Sequence, residues 1–409
     1  MRMSARCKTH AVASAPVAAP VARVLRGGIA SECHIGVESC HSMAQGLPVF
    51  IGGGPDRPGA SPRRRTPGPV LRWSALRQGL AAVALAAGAA VAAARPCPGP
   101  TLVFEPLGDG LWRIPAEAGE ADARNRGRVS NLLLARAGEG REASLWALGS
   151  GPSPAFGRAL ACQARRRLGL PIRQAISPWT RPEAVLGVAG LDAEAAAAGR
   201  PPVVHAAHQD VAVAMAVQCP TCVARLRQRL GAAAKDLGET PIRLPTLRLR
   251  GAQGRLGPWD WWWLPRADAR AMTLWRWAPA HGGGAPLWHA PGLLWADNAA
   301  PDSHDADVLR LQQAAYRALA LAGADGPSGR WLGEQGGVRD SQAPAELAAY
   351  WDALVEAVRD AIRRGVAETE PPPPLPTARA DWQRDPQHAL NWQRAWRQLE
   401  PAVLDESAR

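Results

Sequence analysis

Ser177-Pro178-Trp179-Thr180-Arg181-Pro182-Glu183-Ala184-Val185-Leu186-Gly187 is the stretch on which the reading of this chain turns. Ile172 to Ile176, just before it, reads as a strand, and residues 183–198 read as a short helix followed by an Ala-rich segment. The stretch is therefore a strand-to-helix loop, the kind of place where a rigid scaffold presents its chemistry. Its side chains are an odd set for that role. Trp179 and Ala184 have no lone pair to offer a metal, and Arg181 is a permanent cation. Glu183 is the only carboxylate, and the apolar step Val185-Leu186 leads into Gly187.

Working outward, short strands are expected at 101–106 and 110–114, with continuous apolar strands at Ser130–Ala135 and Ala143–Leu148. A helix is expected over 155–168, a strand over Val203–Ala206, and an amphipathic helix over 208–232. Residues 246–296 alternate like an antiparallel meander, through Trp259–Leu264, Met272–Trp277, Pro286–His289 and Gly292–Trp295. Helices follow at about 304–322 and 344–364, then a Pro371–Pro374 break and a Trp-rich helix at about 386–400. Strands then helix, given twice, imply an α/β sandwich of two sheets with helices outside. The tryptophans fit sheet packing better than a stacking platform for sugars or aromatic ligands. Trp261-Trp262-Trp263 cannot all face inward, however, because successive strand side chains alternate faces. At least one must be exposed or covered by another element.

Composition adds boundaries. The chain has 409 residues, 47% of them apolar, enough for a large core. Its basic charge is almost all Arg, with Lys only at Lys8 and Lys235, as the codon bias of a GC-rich genome would produce. Of the net charge of +12, residues 1–94 carry +8 and the rest only +4, with no basic stripe, which argues against nucleic-acid binding. Arg72 and Arg77, the Ala-rich apolar run to Ala94 and the Arg95-Pro96 stop form a signal peptide over 71–94, implying a periplasmic or secreted protein with no membrane span after cleavage. Residues 1–70 are Pro-, Gly- and Arg-rich and read as a mis-called start or a disordered extension. Four cysteines follow the signal, which permits two disulfides; three pairings are open, and Cys219-Pro-Thr-Cys222 is one candidate pair. A redox role for that pair is a weaker alternative, since it falls in a helical context.

With these elements in order, the opening loop resembles the His-x-His-x-Asp-His loop of metallo-β-lactamase-fold hydrolases, kept as Trp-x-Arg-x-Glu-Ala before Val-Leu-Gly. Asn125–Asn131, Leu148-Gly149-Ser150-Gly151, Pro279–Gly284, Leu293–Asn298 and Trp331–Gly336 resemble further loops of that family, in its order. The resemblance covers residues 101–340; with Asn391, Leu399 and Glu400 it is nearest to the zinc metallohydrolase-like proteins that accompany quinoprotein dehydrogenases. It implies a four-layer αββα sandwich over 95–368, with 369–409 as a Pro-rich linker and C-terminal helix. It also implies that the metal-loop positions are Trp179, Arg181, Glu183, Ala184, His281, Asn298 and Glu334, while Gly149 replaces a bracing acidic residue.

Zinc needs imidazole or carboxylate donors about 2 Å away, and it activates a bound water. Here the usual donors are largely replaced. The expectation is an exported, degenerate member without catalytic residues or cofactor, acting as a binding or accessory module with a periplasmic protein partner. An ion pair of Arg181 with Glu183 or Glu334 would fill the metal corner. The alternative is a hydrolase with a remodelled mononuclear zinc site from Glu183, His281 and Asp297. His205, His208, His289 and His304 show no metal spacing.

Overall fold

The computed structural model describes residues 96–409 except 109, 240, 269, 280–283, 325–328 and 377. The expected signal peptide, the stretch before it and His281 lie outside the described residues. The first sheet runs in chain order: β1 (Glu105–Gly108), β2 (Leu111–Ile114), β3 (Leu132–Ala137), β4 (Ser144–Leu148), β5 (Ile172–Ile176), β6 (Val204–His208) and β7 (Leu247–Leu249). It is antiparallel as far as β4 and parallel from β4 to β7. Parallel neighbours need crossovers. These are α1 (Pro154–Leu168), then α2 (Pro182–Val185) with α3 (Val188–Ala197), then α4 (Gln209–Leu230).

The second sheet has the order β13-β12-β11-β10-β9-β8. It comprises β8 (Gln253–Leu256), β9 (Trp259–Ala267), β10 (Arg270–Trp277), β11 (Leu287–His289), β12 (Arg330–Leu332) and β13 (Val338–Arg339). Only β11 and β12 are parallel, and α5 (Val308–Ala324) crosses between them. The chain ends in α6 (Ala343–Arg363), α7 (Ala380–Arg384) and α8 (Pro386–Ser407).

Side-chain alternation makes the layers. In β3, Leu133 and Ala135 join Leu148 and Ile176 in the core between the sheets, facing Trp259, Trp261, Trp275 and Trp277. Leu132 and Leu134 point the other way and pack with Phe156 and Leu160 of α1 and Leu191 of α3. Beyond the second sheet, Leu264, Met272, Leu274 and Trp288 pack against α5, α6 and α8. The result is helix, sheet, sheet, helix. The tryptophan triplet resolves by the same rule. Trp261 enters the inter-sheet core. Trp262 packs outward, its ring 4.9 Å from that of Trp288. Trp263 is capped by α4 through an Nε1–H bond to Asp210 at 2.9 Å.

Several expectations shift. Gly292–Trp295 is a turn rather than a strand, with the Leu293 and Leu294 amides both reaching back to the Ala290 carbonyl. The short β12, β13 and α7 appear where no periodicity marked them. Residues 369–409 are not an appendage: Trp392, Trp396, Leu399 and Val403 of α8 belong to the core beneath α6. Cys97 pairs with Cys162, whereas Cys219 and Cys222, the candidate pair, are free thiols one helical turn apart on α4. No described helix is long and apolar enough to cross a membrane.

The Cys97–Cys162 bridge closes a separation of 65 residues. Loop entropy for that length gives a stabilisation of about 4 kcal/mol. Reducing it, or the substitution Cys162→Ala, is expected to lower the unfolding free energy by that order in denaturant titrations. Buried His205 and His289 supply a second check. Burial lowers both imidazoles from 6.5 to about 4. The unfolded chain therefore binds more protons than the folded one between about pH 4 and 6.5, so stability rises with pH across that window. Each histidine is expected to cost on the order of 3 kcal/mol by its lower end. A denaturation midpoint that stays flat from pH 6.5 to 4.5 would contradict this.

Candidate functional site

The loop after β5 is tied to both sheets. The Ser177 amide donates to Ala206 of β6 at 2.9 Å, and the Pro178 carbonyl accepts from the Thr273 amide and hydroxyl of β10 at 2.9 and 2.8 Å. Pro182 then starts α2, its fixed φ suited to the first helical position. The Ala184 carbonyl accepts from the Ser150 and Gly151 amides at 2.7 and 3.1 Å. Gly187 is required by close approach, because a Cβ there would sit 1.9 Å from the Ser150 carbonyl oxygen. Gly149 has φ +81°, and a side chain there would also meet Leu132. This backbone therefore disfavours an acidic side chain at this position.

The side chains of the loop converge on a buried charged cluster. The Trp179 indole is buried and donates from Nε1 to Glu334 Oε2 at 3.1 Å. The Arg181 side chain is about nine-tenths buried. Its Nε lies 3.5 Å from Glu183 Oε2 and 3.7 Å from Glu334 Oε1. The guanidinium also covers the Trp295 ring, 4.3 Å from its centroid. Ser130 Oγ donates to Glu334 Oε1. Burial alone would pull the Arg181 pKa down, but the charges of Glu183 and Glu334 outweigh it and hold it above its ordinary value. Burial raises the Glu334 carboxyl against the pull of Arg181.

Of the positions expected in the metal loops, the fold brings together Trp179, Arg181, Glu183 and Glu334. Ala184 contributes backbone only. Asp297 and Asn298 are exposed, and the Asp297 carboxylate accepts from the Gly337 amide at 3.1 Å, serving a turn instead of joining Glu183. These residues do not fit a zinc ion. Arg181 is a fixed cation against both buried carboxylates, and repels a second cation there. Among the described residues no group of three or more His, Cys, Asp or Glu could hold a metal. The thiols of α4 are also poorly suited to nucleophilic or redox work. Burial pushes Cys219 up to about 12 and raises Cys222.

Sequence position alone does not mark Arg266, although a cation ending the apolar run Trp261–Pro265 is a visible signal. It is 3% exposed and donates to the carbonyls of Gly292, Asp302 (3.2 Å) and His304 (2.7 Å), and it stacks 4.8 Å from the Trp179 ring. Burial lowers its pKa to about 10. The 302–305 loop it grips is braced from behind by α8. Asn391 Oδ1 accepts from the Ser303 amide and hydroxyl at 3.2 and 2.6 Å, and its Nδ2 donates to the Pro301 carbonyl at 2.6 Å. Between this loop, the 179–183 loop, α4 and α8 lies a cleft of about 520 Å³.

No family model matches the chain, and no curated protein matches it. Among solved structures, the chain is similar to a β-lactamase domain protein from Burkholderia ambifaria, at 17% identity and TM-score 0.49, over 78% of this chain and 91% of that one. It is also similar to a metallo-β-lactamase from Hirschia baltica, at 13% identity and TM-score 0.43, over 61% and 97% of the two chains. A metallo-β-lactamase from Pontibacter korlensis stands at 11% and 0.42, over 62% and 99%.

Removing the cation should be costly. Arg181→Ala leaves Glu183 and Glu334 buried and uncompensated, and a loss of about 3–5 kcal/mol is expected. Glu334, whose carboxyl burial already raises, then loses the opposing pull of Arg181 and holds its proton more tightly than in the unfolded chain. The deficit should therefore grow as pH rises from 5 to 7, while Arg181→Lys, which keeps the charge, loses less. Urea titrations of both variants at the two pH values check this; an Arg181→Ala protein as stable as the parent would contradict it.

Proposed function

We propose that this chain is an exported, non-catalytic binding or accessory module built on a metallo-β-lactamase-like sandwich. The observation that carries the reading is the Arg181 guanidinium, buried between Glu183 and Glu334 in the loop corner where the resembled hydrolases hold zinc. A lone-pair donor has been replaced by a cation, so the hydroxide that a metal would supply at neutral pH has no evident source in this corner. The cleft beside it is open and of the size that binds small molecules, which suits recognition.

Export is supported by the signal-peptide pattern of residues 71–94 and by the Cys97–Cys162 disulfide, which favours an oxidising compartment such as the periplasm. The order of loop motifs from Asn125 to Gly336, with Asn391 and Leu399-Glu400 after them, supports placement near the zinc metallohydrolase-like proteins that accompany quinoprotein dehydrogenases. On that placement the partner is a periplasmic protein.

Metal analysis of the purified protein tests the reading. Zinc well below one ion per chain after exposure to excess zinc and desalting is expected, together with no hydrolysis across a panel of esters and lactams. One bound zinc per chain with zinc-dependent turnover would instead establish a remodelled hydrolase drawing on Glu183, His281 and Asp297.

A further inference from the structure

The cleft's charges are unequally matched. Six arginines and four carboxylates line it, and Glu334 behind Arg181 adds a fifth carboxylate. Glu120 takes Arg229 at 3.2 Å, Asp305 takes Arg270 at 2.9 Å, Asp302 takes Arg394 at 3.5 Å, and Glu183 takes Arg181. Two guanidinium groups are left without a carboxylate at ion-pair distance. Arg266 is one; both its Nη atoms donate to carbonyls, so it is anchored to the backbone while adding positive field to the buried end. Arg225 is the other. It projects from the exposed face of α4, and among the described residues nothing bonds to it.

A second observation points the same way. The nine-tenths-buried Arg181 side chain lines the cleft, and its Nε makes ion pairs at 3.5 and 3.7 Å but no hydrogen bond. The lining also carries two leucines: Leu226, buried and next to Arg225 on α4, and Leu390, exposed on α8. A surplus of cations, the free Arg225 guanidinium and leucines in the same lining describe a site for a group that is charged at one end only.

Resting on the reading of the site as a metal-free binding cleft, we propose that it takes a small organic anion, with its charged group on Arg225 and its apolar body along Leu226 and Leu390. Carboxylate and phosphate share the chemistry required, and planar guanidinium matches both. An inorganic anion satisfies only half of the site, and a neutral isostere leaves the surplus charge unmet.

Calorimetry with benzoate, phenyl phosphate, inorganic phosphate and neutral benzamide tests the assignment. Benzoate or phenyl phosphate should bind with a Kd of about 1 mM or tighter. Benzamide and inorganic phosphate should bind at least about tenfold more weakly, and added salt should weaken the organic anions. The preferred head group identifies which source of charge the site favours. Arg225→Gln, an exposed substitution that breaks no contact in the structure, should weaken the organic anions about tenfold or more with an unchanged melting temperature. Benzamide binding as tightly as benzoate, no binding of either organic anion, or an unaffected Arg225→Gln variant would each overturn the proposal. Zinc content measured on the same sample keeps the two readings apart. One zinc per chain defeats the module reading whatever the calorimetry shows, whereas zinc-free protein that ignores both organic anions defeats the anion site alone.

Discussion

A permanently charged guanidinium held out of water is the constraint around which the working end of this molecule is organised. Desolvating an ion costs several kcal/mol, and attraction to a partner offsets it only when geometry and extra contacts are good. Arg181 has both. It has Glu183 and Glu334 within 4 Å and the Trp295 face over its guanidinium, while Trp179 and Ser130 satisfy the Glu334 oxygens. Ser130, Trp295 and Glu334 come from three other segments, so the cluster fixes the 179–183 loop against all three at once. Such clusters specify one arrangement more than they add net stability.

The cluster is possible because of backbone choices that carry no charge. Gly187 lets α3 begin against the Ser150 carbonyl, and the Ala184 carbonyl closes the loop onto the Ser150 and Gly151 amides. Behind the opposite wall, Asn391 of α8 holds the 302–305 loop in place for Arg266. The C-terminal helix thus does more than cover the second sheet: it shapes the cleft. Six arginines around one cavity would repel one another without their carboxylates, and the pairing that remains leaves a positive surplus at a mouth partly lined by leucine.

Much of this fold was legible from periodicity. Ile172–Ile176 forms the strand expected of it, the helix expected at 155–168 spans Pro154–Leu168, and the tryptophan triplet divides between faces as alternation requires. β12, β13 and α7 were not legible, because their few residues show neither an apolar strand pattern nor a helical repeat. Gly292–Trp295 misled because its apolar residues are buried as a turn. The pairing of Cys97 with Cys162, 65 residues apart, depends on tertiary contacts that spacing does not encode. In the site, the residue types at 179, 181 and 183 announced a cation in place of donors, and pairing with Glu183 or Glu334 was foreseeable; engagement with both was not. Arg266 and Arg225 belong to patterns that look like a strand end and a solvated helix face, so their shared cleft emerges only in three dimensions.

The Arg181 guanidinium lies in the corner between Glu183 and Glu334, where a second cation would be repelled. The most direct measurement is anomalous diffraction at the zinc absorption edge from crystals grown with excess zinc. Continuous side-chain density for Arg181 between the two carboxylates is expected, with no anomalous peak among Trp179, Arg181, Glu183 and Glu334. An anomalous peak at that corner, with Arg181 displaced toward solvent, would contradict it.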